Sequence, residues 1–428
     1  MNIPPLITPF SDAMFALTLG LLLLAPLAIA GVALLNTGLG RSRSAAQSLL
    51  GCVTLVAVAA VAFAVVGVSF AGAPGHALSI AGKPWDWIGG APLFLRHFSA
   101  ARLETQLEVL FEFMAVGLMA IIPWGSGADR LRMPAGCVVT AVLAGGVFPV
   151  VAHWVWGGGW LARLGTDFGL GAGLIDGAGA ASVHAVGGLS ALAVVWIAGS
   201  RKGKFPKEGL ATAIPGHNAV YILFGCLLAL VGWLAWNVAG AILWLHAPSG
   251  ALVVTGINTV LSAAAALVAT FTVTRTRFGK PDASMCANGW LAGLVASSAC
   301  AAIVTPGEAI LVGAVAGIAA PLLVEAMELA LSIDDPSGAI SVHAVGGLWG
   351  LFAAGLFAHH PGQLMAQLVG MVTLLGFVFP LVYLLFAILN RIVPFRVDPD
   401  GERLGMDLHE LGSGAYPEFV IHRDESHR

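Results

Sequence analysis

Apolar stretches of about twenty residues recur along the entire chain, and nothing else in the sequence restricts the fold so tightly. They fall near 12–36, 46–71, 104–124, 134–156, 179–199, 217–244, 250–274, 284–304, 308–331, 338–357 and 363–389. At ~1.5 Å of rise per helical residue, each matches the ~30 Å hydrocarbon thickness of a bilayer. Of the 428 residues, 58% are hydrophobic and 10% charged, whereas soluble domains carry roughly 25% charged residues. Inside lipid the backbone must pair with itself, and the strict alternation of a barrel is absent, so the stretches are predicted to be helices. The expected fold class is an all-α membrane protein with eleven transmembrane helices. Residues 1–11 contain no Lys or Arg, so the first stretch lacks a signal peptide's basic region and reads as a retained span. The five cysteines stand singly without CxxC spacing and read as small apolar side chains. A net charge of −3 argues against a nucleic-acid partner.

Loop charges predict the orientation. With the N-terminus outside, only Lys83, Arg96, Arg102 and Arg163 lie outward, and the other 16 of the 20 basic residues lie inward. That bias predicts an N-out, C-in topology in the cell (inner) membrane. The loop 72–103, rich in Gly, Pro and aromatic residues, is expected to form an external structure over the entrance. The polar segment 390–428 is expected to be a cytoplasmic tail, too short for an appended kinase or cyclase domain.

The octapeptide SVHAVGGL occupies 182–189 and returns unchanged at 341–348, and each copy has an aspartate eight residues before its histidine: Asp176 before His184, Asp335 before His343. The copies lie on spans five and ten. An offset of five spans reverses direction through the membrane, which predicts inverted halves at about 12–199 and 217–357. Span 11, at 363–389, completes a transmembrane domain of residues 1–389. Each histidine lies eight residues into its helix, about 12 Å deep, so both approach the midplane. The GG pairs that follow allow close helix approach. A charged imidazole there is costly, so the pair is expected to be mostly neutral and to share a ring-to-ring hydrogen bond. Such a pair passes a small neutral polar molecule and can relay a proton. Either histidine alone could equally be a core residue satisfied by a carbonyl. No metal is expected, because no third ligand is placed at that depth. Both aspartates suit first-turn caps of their helices, and Asp176 also suits a fixed negative charge facing an arriving cation.

At this point the residues resemble the ammonium transporter family of bacteria, yeast and plants. IDGAGAASVH (175–184) and DDPSGAISVHAVGGLWG (334–350) resemble its two histidine segments. AHWVWGGGWLA (152–162), PGHN (215–218), WLAWN (233–237) and GMDLHELGSGAYPEF (405–419) follow in family order. The resemblance implies a homotrimer with a pore in each subunit, twin histidines at His184 and His343, and an outer-vestibule acid at Asp176. Trp156 matches the vestibule tryptophan, where cation–π attraction replaces part of the hydration of ammonium. LFEFMA (110–115) resembles a family segment in span 3, giving Phe111 for its first phenylalanine and Glu112 for its glutamine. The paired gate phenylalanines then fall on Ala115 and Trp236, a departure from the pattern. An alternative alignment puts Phe111 in the gate. The family's hydroxyl residue falls on Gly240, and Ser298 resembles a polar pore-lining residue.

The resemblance therefore implies a transporter rather than an enzyme, with no cofactor. Ammonium is recruited outside, deprotonated, and passed as ammonia beyond the histidines. The altered gate leaves open an ammonium-binding sensor or a poorly conducting homologue. The basic loop RKGKFPKEG (201–209) and the tail form a face where a PII-type regulatory protein could dock, by resemblance alone.

Overall fold

The computed structural model describes residues 10–416 apart from 74, 76, 81 and 209. The end of the tail motif, 417–419, and Gly209 of the basic loop lie outside the described residues. The long helices, in chain order, are α1 Asp12–Leu39, α2 Ser42–Ala71, α3 Leu103–Ser126, α4 Met133–Val155, α5 Ala180–Ala198, α6 Ala219–Leu243, α7 Ser249–Phe278, α8 Ala283–Cys300, α9 Pro306–Leu331, α10 Ile340–Phe357 and α11 Gln363–Ile392. They coincide with the predicted stretches to within a few residues. Ten are long and apolar enough to cross a membrane. The remaining one, α8, has the length but carries Asn288, Ser297 and Ser298 and is buried on almost every side. Its composition answers to protein neighbours.

Local sequence explains the bends. LAGGVFP (143–149) and LLGFVFP (374–380) each open into a wide π-turn, Leu143–Val147 and Leu374–Val378, just before a Phe-Pro pair. Proline cannot donate back along the helix and its ring crowds the carbonyl four residues earlier; a widened turn relieves both. Burial then orders the bundle. The most apolar windows of α3 and α5 are 78% and 83% buried, against 28% for α2 and 22% for α11, so the former pair sits at the centre.

The two octapeptide copies pack directly on each other. A Cβ at Gly188 would lie 2.1 Å from the Ala344 nitrogen, and one at its counterpart Gly347 would lie 3.0 Å from the Ala185 nitrogen. The positions 188/347 and 185/344 share the repeat interval, so the contact is reciprocal. Only glycine allows backbones this close.

The loop after α2 holds a feature the sequence reading did not anticipate, an antiparallel hairpin of β1 (Ala77–Ile80) and β2 (Lys83–Asp86) with Ala77 opposite Asp86. Trp85 stacks on Trp160 at 4.7 Å, and Trp154 donates its indole N–H to the Trp87 carbonyl at 2.8 Å. His153 ties the same loop down, with Nδ1 2.8 Å from the Gly72 carbonyl and Nε2 3.1 Å from an Asp86 oxygen.

At the opposite face the tail folds back over the helix ends. Residues 395–397 pair with 130–132 through Arg132 N–H to the Phe395 carbonyl and Val397 N–H to the Arg130 carbonyl. Asp407 accepts from the amides of Ala46 and Gln47, and Tyr416 hydroxyl lies 3.1 Å from His217 Nε2. Beneath the tail, Arg201 bridges Asp129 at 3.1 Å and Asp334 at 2.9 Å. Burial would raise the Asp334 carboxyl, but the guanidinium groups of Arg201 and Arg130 prevail and hold it down to about 2. In the basic loop, Arg201 and Lys204 are buried, Lys204 against Glu328, leaving Lys202 and Lys207 exposed. Half of the loop's positive charge is thus spent on internal pairs.

Candidate functional site

Two aromatic layers lie at the end of the bundle that carries Trp156. The upper layer is Trp156 on Trp244, parallel at 5.0 Å and 7°, both half-buried. Trp156 follows the last turn of α4, and its indole N–H donates to the Asp176 carbonyl at 2.7 Å. The lower layer is Phe111 on Trp236, stacked at 4.1 Å and 29°, with Phe111 also edge-on to Trp156 at 5.5 Å. Phe111 is 0% and Trp236 1% exposed, so this layer closes the floor of the cage. The Trp236 N–H donates to the Ala178 carbonyl at 2.7 Å. Residues 176–178 therefore hold both indoles through main-chain oxygens.

The two span-3 alignments put different residues opposite Trp236. The ring that faces Trp236 is that of Phe111, whereas Ala115 is a fully buried methyl one turn along α3. The pairing of Ala115 with Trp236 does not match this geometry, and the alternative with Phe111 does: α3 is rotated so that position 111 meets α6. Gly240 is accounted for by packing. A Cβ there would lie 2.1 Å from the Gly177 carbonyl oxygen, so the segment bearing Asp176 occupies the space that a hydroxyl side chain would need.

Below the floor, Trp233, His184 and His343 form a stack. His184 lies between Trp233 (5.2 Å, 12°) and His343 (5.2 Å, 22°), and the two Nδ1 atoms are 3.2 Å apart. One Nδ1 must donate and the other accept, so two neutral rings adopt opposite tautomers. His184 Nε2 is sealed and has no hydrogen-bond partner among the described residues. Ser298 is joined to the stack: its hydroxyl accepts from the Trp233 indole at 3.0 Å and donates to the Leu294 carbonyl.

Asp176 is 2% exposed, and its carboxylate accepts from the amides of Gly179, Ala180, Ala181 and Ser182 and from the Ser182 hydroxyl. Both oxygens thus cap the start of α5, with the favourable sign against its dipole. Glu112 is 5% exposed and has no hydrogen-bond or ion-pair partner among the described residues. Among the described residues no group of three His, Cys, Asp or Glu side chains could hold a metal.

Sequence reasoning missed Trp233 and Trp244. The signal for Trp233 was present in WLAWN, since residues three apart on a helix share a face. Trp244 carried none, because it lies past the last turn of α6 and its stacking depends on where α4 ends.

The model of the Ammonium Transporter Family matches residues 14–416. The chain is 33% identical over 417 residues to the ammonium transporter Amt2 of Archaeoglobus fulgidus, covering 92% of this chain and 86% of that one. It is 28% identical to an ammonium transporter of Bacillus subtilis, covering 91% and 95%. Among solved structures it resembles a sensor Amt protein (TM-score 0.85, 26% identity, covering 92% and 97%) and Mep2 of Candida albicans (TM-score 0.79, 25% identity, covering 96% and 91%).

Proposed function

Since this chain belongs to the ammonium transporter family, we propose that it carries ammonium across a membrane through a pore in each subunit of a homotrimer. The single observation that supports this most is the line from the Trp156 cage, past the Phe111–Trp236 floor, to the His184–His343 pair. In this reading, the indole faces of Trp156 and Trp244 replace hydration around the arriving cation. Ammonium loses its proton at or just below the floor. Ammonia then crosses, donating to the bare nitrogen of one histidine and accepting from the other, and a proton can follow through the shared Nδ1 contact. Asp176 acts chiefly through position, since its carbonyl fixes Trp156 and its charge is engaged by α5.

With all eleven helices spanning, the orientation is N-out and C-in, in the inner membrane, and the tail with Lys202 and Lys207 makes the face for a PII-type regulator. A second reading is favoured by the sealed floor: Phe111 and Trp236 leave no exposed surface between cage and histidines, and one structural relative is a sensor Amt protein. In that reading the chain binds ammonium and conducts poorly. Purified protein in proteoliposomes, given an ammonium jump, distinguishes them: transport yields a current or an internal pH change. Saturable binding without either would leave only the sensor reading.

A further inference from the structure

A small cavity lies where α6, α7 and α8 meet the 176–178 segment. Its volume is about 10 Å³, and Asn237, Thr255, Ser298 and Gly177 contribute to its lining. That is roughly the room one water-sized guest needs. The hydrogen-bond network fixes what the cavity offers. Thr259 hydroxyl donates to the Thr255 carbonyl, and Ser297 hydroxyl donates to the Leu294 carbonyl. Both hydroxyls must then accept from Asn237 Nδ2, 2.9 Å from each, which sets the amide orientation. Asn237 Oδ1 is left buried and without a partner among the described residues, on a side chain 2% exposed. The Thr255 hydroxyl donates to Ala251 and that of Ser298 to Leu294, so neither has a proton to offer inward. The side-chain polar groups lining the cavity present acceptors alone.

Two further features favour positive charge there. The cavity lies at the C-terminal ends of α6 and α8, with Ala241 from one, Ala299 from the other and Ala301 just past it in its wall, and helix C-termini carry partial negative charge. Close by, Asn258 on α7 donates to the Ala301 and Val304 carbonyls and leaves its own amide oxygen unpartnered among the described residues.

We propose that this cavity is a second ammonium site, distinct from the Trp156 cage and selective for the unsubstituted ion. Ammonium has four donors and no acceptor, the complement of this lining; its size matches the volume, and a methyl group would not fit. The site rests on the preceding reading only in taking ammonium as the ligand. Calorimetry on the full-length protein in lipid nanodiscs, at constant ionic strength, tests it. Wild type is expected to bind ammonium in two classes and methylammonium in one. Asn237→Leu and Thr255→Val should each abolish the methylammonium-insensitive class, whereas Trp156→Leu weakens the other class and spares it. Thr255→Val keeps the fold test clean, because among the described residues its hydroxyl bonds only to its own helix. A single ammonium class that Trp156→Leu weakens would overturn this proposal and leave the transport reading intact. A second class filled equally by potassium or methylammonium, or one surviving both variants, would also overturn it. No ammonium binding at all would overturn both.

Discussion

The two octapeptide copies are identical in sequence and unlike in surroundings. Asp176 accepts four backbone amides and one hydroxyl, whereas Asp335 accepts the Ile340 amide and the hydroxyls of Ser126 and Ser337. His184 is clamped between Trp233 and His343. His343 borders instead a cavity of about 10 Å³ shared with Asn36, Asn288 and Ser337. The entry to each copy is shared: Gly179 and Gly338, one repeat interval apart, are both left-handed, at φ +93° and +68°. The difference teaches that the repeat supplies two equivalent helices, and the neighbours make one the side of the aromatic cage and the other the side of the polar tail face.

The largest expected effect tests what the copies share. His184→Ala and His343→Ala should each abolish or reroute ammonium conduction in proteoliposomes while the protein still assembles and melts cooperatively. If one variant conducted like wild type, the shared Nδ1 contact would not be the common step. The next prediction tests where they differ. Asp176→Ala removes a carboxylate holding five donors and should cost ~3 kcal/mol or more, against about 1–2 kcal/mol for Asp335→Ala. Equal shifts in melting temperature would break the comparison.

A smaller effect separates the tail face by pH. The Asp334 carboxyl lies lower in the folded protein, at about 2, than in an unfolded chain at about 4. Its contribution is therefore complete above about 4 and fades as pH falls through about 2, a loss of roughly 2 kcal/mol. Melting between about pH 4 and 2 should show the decline, and Asp334→Asn should flatten it while lowering stability at neutral pH. The smallest expected effect lies in the cage. Trp156→Leu removes a ring face worth roughly 0.5–2 kcal/mol, so the half-saturating ammonium concentration should rise about two- to thirty-fold. A change of that size from a variant on the His343 side, such as Asn36→Leu, would mean that recruitment is not confined to the cage.

Much of this molecule is determined by the sequence alone, because the relevant physics is local or repetitive. Apolar length bounds each helix, Phe-Pro pairs mark the widened turns of α4 and α11, and an unchanged octapeptide names the two histidines. Facing relations are of another kind. Whether Phe111 or Ala115 meets Trp236 depends on how far α3 is rotated against α6, and two residues one helical turn apart cannot be separated by periodicity. The reason Gly240 lacks a side chain is a main-chain segment about sixty residues away, and the burial of Arg201 and Lys204 depends on carboxylates brought over from α9 and the loop after it. Such contacts arise between elements distant in sequence, so only the packed tertiary structure decides them.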